Sequence, residues 1–109
     1  MLRIHNTVLE MIADVRRYAD AIAGQDRDLA RRLRRASMSV LLNVAEGSGA
    51  RGGTRRARYD DALGSARETL AGLEGAEAAG YIAALRPDSR RRLDAIIGTL
   101  VRIQYPGRG

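Results

Sequence analysis

The segment from Leu29 to Gly47 carries apolar residues around more of a helix than one small core can cover. At about 100° per residue, Leu29, Leu33, Ala36, Met38, Val40, Leu41, Leu42, Val44 and Ala45 sweep an arc of roughly 240°, whereas a helix facing a single core needs little more than about 100°. The excess calls for a second apolar surface, with Met38, Leu41, Leu42 and Ala45 as the candidates for contacts outside the chain's own core. The narrow strip left over holds Arg32, Arg35, Ser39, Asn43 and Glu46, whose spacing lines them up on one helix face. No other ordered polar constellation stands out in the sequence.

Four segments in all share the helical period, the one just described being the second. The first spans about residues 6–23, with Ile4, Val8, Met11, Ile12, Val15, Tyr18, Ala19 and Ile22 at helical spacing, Asn6 as a candidate N-cap and Gly24 as its end. The second spans about 26–47, capped by Asp26 and stopped by Gly47. The third spans about 54–79, with Thr54 as a candidate cap and a stripe of Tyr59, Ala62, Leu63, Ala66, Leu70 and Leu73. Gly64, Gly72 and Gly75 interrupt it, which suits a helix that another helix crosses closely. Gly80 closes it and should return Tyr81 and Ile82 to the core. The fourth spans about 87–104, opened by Pro87, with Leu93, Ile96, Ile97, Leu100 and Val101 at i, i+3, i+4, i+7 and i+8. Pro106, Gly107 and Gly109 mark a tail. Long helices joined by short loops, with no alternating run, predict an all-α, antiparallel up-and-down four-helix bundle formed by one domain over residues 1–109.

Composition narrows the chemistry. With no cysteine and one histidine, His5, thiolate nucleophiles, disulfides and imidazole pairs for a metal are ruled out. Glu10, Asp14, Arg16, Arg17 and Asp20 interrupt the apolar residues between Ile4 and Ile22, which excludes a membrane-spanning helix and a signal-peptide core there. A cytoplasmic location is expected. Gly47-Ser48-Gly49-Ala50-Arg51-Gly52 fits G-x-G-x-x-G, but a helix precedes it instead of a strand, and the chain has no lysine for a P-loop. Neither a nucleophile elbow nor a Glu-x-x-His pair is present, so no enzymatic activity, cofactor or metal is expected.

All 19 basic residues are arginine, against 13 acidic ones, for a formal charge of +6. Arg31-Arg32 with Arg34-Arg35, and Arg90-Arg91-Arg92, form the densest runs, and Arg51, Arg55, Arg56 and Arg58 cluster beside a helix N-terminus. They read either as a phosphate-binding surface for RNA or DNA or as solvated helix faces, since arginine is this chain's only solubilising cation. No stacking aromatic accompanies either dense run, Arg31 to Arg35 or Arg90 to Arg92, so stacking on bases is not expected. Asn43 and Glu46 have a structural reading, pairing with arginines or helix ends within the bundle or across a subunit boundary, and a ligand-binding one; the structural reading is preferred.

Arg34-Arg35-Ala36-Ser37-Met38-Ser39-Val40, followed by Asn43-Val44-Ala45-Glu46-Gly47, resembles the "RRA-x-S-I/V … N-I/V-A-E-G" signature of small four-helix-bundle proteins encoded in intervening sequences of large-subunit ribosomal RNA genes. Ala62-Leu63-Gly64-Ser65-Ala66-Arg67-Glu68 resembles their "A-x-G-S-x-x-E" block, and Gly80-Tyr81-Ile82 their "G-Y-I/L" exit. The family is similar to the accessory variability proteins of diversity-generating retroelements. The resemblance therefore implies a homopentameric barrel, with a reverse transcriptase and nucleic acid as partners; no membrane partner is expected from the charged residues in the apolar segments. Asn43, Glu46, Gly47, Gly64, Ser65 and Glu68 match signature positions and are expected to serve bundle and assembly architecture. The chain departs from the pattern in lacking the common proline before the second helix, in having Tyr59 where phenylalanine is frequent, and in using arginine for lysine. The function expected is that of a non-enzymatic, oligomeric accessory or scaffold protein associated with nucleic acid; the alternative is a structural protein-protein interaction oligomer.

Overall fold

Apolar periodicity and end signals together divide the chain into helices. A computed structural model describes residues 4–107 and contains α1 (His5–Ala23), α2 (Arg27–Ser48), α3 (Gly52–Ala78) and α4 (Pro87–Gln104), with no strand among the described residues. No helix among them is long and apolar enough to cross a membrane. Asp26 caps α2 as its chemistry suggests: its backbone is extended and its carboxylate accepts the Leu29 N–H at 2.9 Å. Pro87 opens α4, where the missing N–H costs nothing. At the end of α3, Gly80 adopts φ +78°, and the N–H groups of Gly80 and Tyr81 donate to the carbonyls of Glu77 and Ala76. This Schellman motif favours a residue without Cβ, and it turns Tyr81 and Ile82 back onto the core.

Three boundaries differ from the sequence reading. Asn6 lies inside α1, which starts at His5 with Ile4 in the cap position and no side-chain cap bond. Thr54 lies in the first turn of α3, which starts at Gly52 after an extended Arg51. In both, the carbonyl ahead of the candidate already accepts the first helical N–H, Val8 to Ile4 and Arg55 to Arg51. Gly47 does not stop α2. It is buried one residue before the helix ends, and a Cβ on it would lie 2.4 Å from the Tyr59 ring, so packing is what requires glycine there. At the other end of the chain, α4 finishes with Tyr105 at its cap and Gly107 at φ +88°, while Gly109 lies outside the described residues.

Cross-helix contacts establish the antiparallel order. Ser39 meets Ser65 and Glu46 meets Arg58 across α2 and α3; Asp14 meets Arg92 and Tyr18 meets Ser89 across α1 and α4; Arg56 and Asp60 meet Gln104, and Glu74 meets Arg90, across α3 and α4. In each pair one number rises as the other falls. Between them lies a core of Val8, Met11, Val15 and Ile22 from α1, Leu33, Val40 and Val44 from α2, Leu63 and Leu73 from α3, and Leu93, Ile96 and Leu100 from α4. Burying each such side chain stabilises the fold by about 1.5–3 kcal/mol. The bundle measures 43 × 23 × 19 Å. Between α2 and α3 glycines meet large side chains: a Cβ on Gly72 would lie 2.7 Å from Leu33 Cδ2, as one on Gly47 would lie 2.4 Å from Tyr59, so these two helices approach closely.

This close packing uses only part of the apolar arc of α2. Ala30, Leu33, Ala36, Val40 and Val44 are buried, and Leu29 and Leu41 are half-buried. Met38, Leu42 and Ala45 are exposed, with 43% of Met38 and 55% of Leu42 open to solvent.

Candidate functional site

The polar strip of α2 faces α3 and forms a continuous seam with it. Ser65 Oγ donates to Ser39 Oγ at 2.9 Å, and Asn43 Nδ2 donates to both the Ser39 carbonyl and Ser39 Oγ at 3.0 Å. Asn43 thus acts on α3 through Ser39 and does not touch α3 by a hydrogen bond of its own. Glu46 reaches across directly to Arg58 at 3.1 Å, and Arg32 reaches Glu68 at 3.4 Å; both pairs lie on the exposed rim. Below them Tyr59 packs its ring on Gly47, its hydroxyl lies 3.3 Å from Ser48 Oγ, and the Arg55 guanidinium sits 5.9 Å from the ring centroid. Gly47, Ser65 and Glu68 therefore belong to this seam, together with Asn43 and Glu46. Gly64 does not: it faces solvent, with nothing within 4 Å of where its Cβ would lie.

The arginine runs separate into paired and unpaired groups. Arg31 pairs with Asp28 and Arg34 with Asp20, both at 2.6 Å; Arg90 pairs with Glu74 at 3.2 Å, and Arg91 with Asp88. Arg92 is the most committed. Its guanidinium bonds Asp14 Oδ2 at 2.6 Å and lies 3.6 Å from Glu10, and the hydrogen bond to Asp14 raises its pKa above the ordinary arginine value, with attraction from Asp14 and Glu10 adding to the effect and desolvation opposing it. Among the described residues, Arg35, Arg51, Arg55 and Arg56 form no ion pair with a carboxylate. Arg51, Arg55 and Arg56 cluster at the α2–α3 turn, where Arg55 Nε donates to the Gly47 carbonyl at 3.3 Å and Gln104 Nε2 bonds the Arg56 carbonyl, bringing the end of α4 alongside; Arg58, which the sequence groups with them, is paired with Glu46 and Asp61. No acidic residue occupies the first turn of α3. The sequence runs thus do not make one surface, since most are spread along the flanks and balanced, and the unbalanced cluster sits at one end of the bundle.

Asp14 was not legible as special in the sequence. It is 3% exposed, with Oδ1 held by Arg17 at 2.6 Å and Oδ2 by Arg92. Next to it the Tyr18 hydroxyl accepts the Arg86 N–H at 2.9 Å and donates to Ser89 Oγ at 3.2 Å. The available signal was positional: Asp14 follows Met11 by three residues and precedes Tyr18 by four, on the face that α1 buries.

The fold and the seam's two sequence blocks have a known counterpart. The family model described as 23S rRNA-intervening sequence protein matches residues 2–100. The chain belongs to that family. Among solved structures, a protein with unknown function from the S23 ribosomal protein family of Bacteroides thetaiotaomicron VPI-5482 shares the fold at a TM-score of 0.79 and 18% sequence identity, covering 94% of this chain and 98% of its own. No curated protein sequence matches the chain. The family blocks coincide with the α2–α3 seam, where Asn43, Glu46 and Gly47 from one meet Ser65 and Glu68 from the other.

Proposed function

We propose that this chain is a non-enzymatic, oligomeric accessory protein that binds RNA or DNA through phosphate contacts. The observation that carries the reading is the cluster of Arg51, Arg55 and Arg56 at the α2–α3 turn, without a carboxylate partner among the described residues although most other arginines of the runs have one. It lies at the start of α3, whose first N–H groups and dipole favour anions. Tyr59, the aromatic beside the cluster, is buried and cannot stack on bases, so affinity comes from guanidinium–phosphate contacts and carries little base preference. Assembly supplies the rest. Exposed Met38 and Leu42 favour a partner surface, the resemblance to retroelement accessory proteins suggests a pentamer, and each copy adds a formal charge of +6. A reverse transcriptase is a candidate protein partner on the same resemblance.

Titration of labelled RNA and DNA at two salt concentrations tests the reading. If six or more phosphates are engaged across an assembly, affinity falls by roughly 10³-fold between about 50 and 200 mM salt. Arg51→Glu combined with Arg56→Glu should weaken all sequences about equally. Affinity that ignores salt, or depends strongly on sequence, would refute the mechanism. Absence of binding at low salt would favour the second reading, a structural oligomer whose arginines serve only its own ion pairs; the pairing of Arg31, Arg34, Arg90, Arg91 and Arg92 speaks for that alternative.

A further inference from the structure

The outer faces of α2 and α3 are opposites in shape and charge. On α2, Met38 and Leu42 project into solvent, continued toward the helix N-terminus by Arg31, Arg34 and Arg35. On α3, Ala57, Gly64, Ala71 and Ala78 recur every seven residues along the exposed side, flanked by Asp60, Asp61, Glu68 and Glu74, with Arg56 near the N-terminal end and Arg67 as basic exceptions. Gly64 is the informative member. Gly47 and Gly72 are glycine because Tyr59 and Leu33 occupy the space of a Cβ, but none of the described residues outside its own turn of helix comes within 4 Å of where a Cβ on Gly64 would lie. An exposed mid-helix glycine weakens the helix, and no turn or internal contact requires this one.

We infer that α2 of one copy docks its Met38–Leu42 face on the Gly64-centred groove of α3 of the next copy, head to tail. The inference rests on the oligomeric reading above and names the two faces that meet. Three features support this occupant. Large exposed side chains face a strip of small ones, as knobs face a groove. A basic flank meets an acidic one, and the intrachain pairs that now hold the acids, Arg32–Glu68 and Arg90–Glu74, lie at the surface where partners exchange readily. The heights also agree. Within the chain Ser39 is level with Ser65 and Glu46 with Arg58, so Met38 and Leu42 straddle the level of Gly64, while Arg31 and Arg35 fall level with Glu74 and Glu68. Rotation about an axis parallel to the bundle preserves height, so the same levels meet between copies. Because α2 and α3 occupy neighbouring corners of the bundle, their outward directions differ by roughly 90°, suited to a closed ring of about four or five copies.

Light-scattering mass measurements on the full chain test this with two variants. Leu42→Glu places a negative charge against the acidic groove, and Gly64→Gln fills the groove; both positions are exposed, so both variants keep the fold, as circular dichroism should verify. Each variant alone should be monomeric. Their equimolar mixture should yield a heterodimer and nothing larger, because each copy retains the face the other has lost. Wild-type assembly that survives in either variant, or a mixture that fails to pair, would overturn the assignment of faces while leaving the oligomer itself intact. A monomeric wild type would instead sink the oligomeric reading and this inference with it.

Discussion

The α1–α4 seam and the α2–α3 seam both join antiparallel helices through polar side chains, yet they commit those groups differently. Between α1 and α4 the carboxylate of Asp14 is buried and both its oxygens are taken, one by Arg17 and one by Arg92. Taking a carboxylate out of water is tolerated only while cations hold it, so these arginines cannot also serve a ligand without uncovering a buried charge. Between α2 and α3 the inner contacts are hydroxyl and amide bonds among Ser39, Asn43 and Ser65, and the charges of Arg32, Glu46, Arg58 and Glu68 remain on the rim. Such rim pairs contribute little and exchange partners easily. An arginine count therefore overstates the surface available to phosphate; burial of the partner decides which arginines are free.

The sharpest test of that contrast is Arg92→Ala against Arg91→Ala. Removing Arg92 leaves Asp14 with Arg17 alone and should destabilise the chain more than any other arginine-to-alanine change, whereas Arg91 and Asp88 pair in the open and their loss should be nearly silent in a thermal melt. Equal melting temperatures would erase the distinction between the seams. On the other side, Gly47→Ala drives a methyl group into the Tyr59 ring and should cost about 1–3 kcal/mol by urea denaturation, as overpacking does. Wild-type stability would mean that Tyr59 moves freely and that the α2–α3 contact is loose.

Asn43→Ala removes two bonds to Ser39 and should cost about 0.5–1.5 kcal/mol, provided the seam is structural. If that variant keeps its stability and assembly but loses nucleic-acid binding, the seam is a ligand site and the contrast reverses. Gly64→Ala, measured in a Leu42→Glu background so that assembly does not enter, should stabilise the helix by about 0.5–1 kcal/mol. Destabilisation there would reveal an internal contact to Gly64. The smallest effect belongs to Glu46→Ala, within about 0.5 kcal/mol, because the pair with Arg58 is exposed.

The four helices were legible because periodicity and end chemistry are local: Asp26, Pro87 and Gly80 act within a turn of where they stand. The alignment of Ser39, Asn43 and Glu46 on one face was legible for the same reason, since helical spacing alone sets it. What that face meets was not. Gly47 looked like a stop because glycine commonly ends helices, and only the Tyr59 ring, twelve positions along, shows why it stands inside one. Asp14 looked like one of many surface carboxylates, because its main partner Arg92 comes from the far end of the chain.

Sequence alone thus determined that the chain forms helices, where they begin and end to within a residue or two, and that α2 is apolar over more than one face, all properties of neighbours within a few residues. The tertiary structure decided which part of that arc is buried, leaving Met38 and Leu42 outside, and which arginines carry a carboxylate. These are consequences of which helix stands beside which, and no local rule contains them: a side chain's exposure and its charge partner depend on atoms brought close only when the antiparallel helices pack.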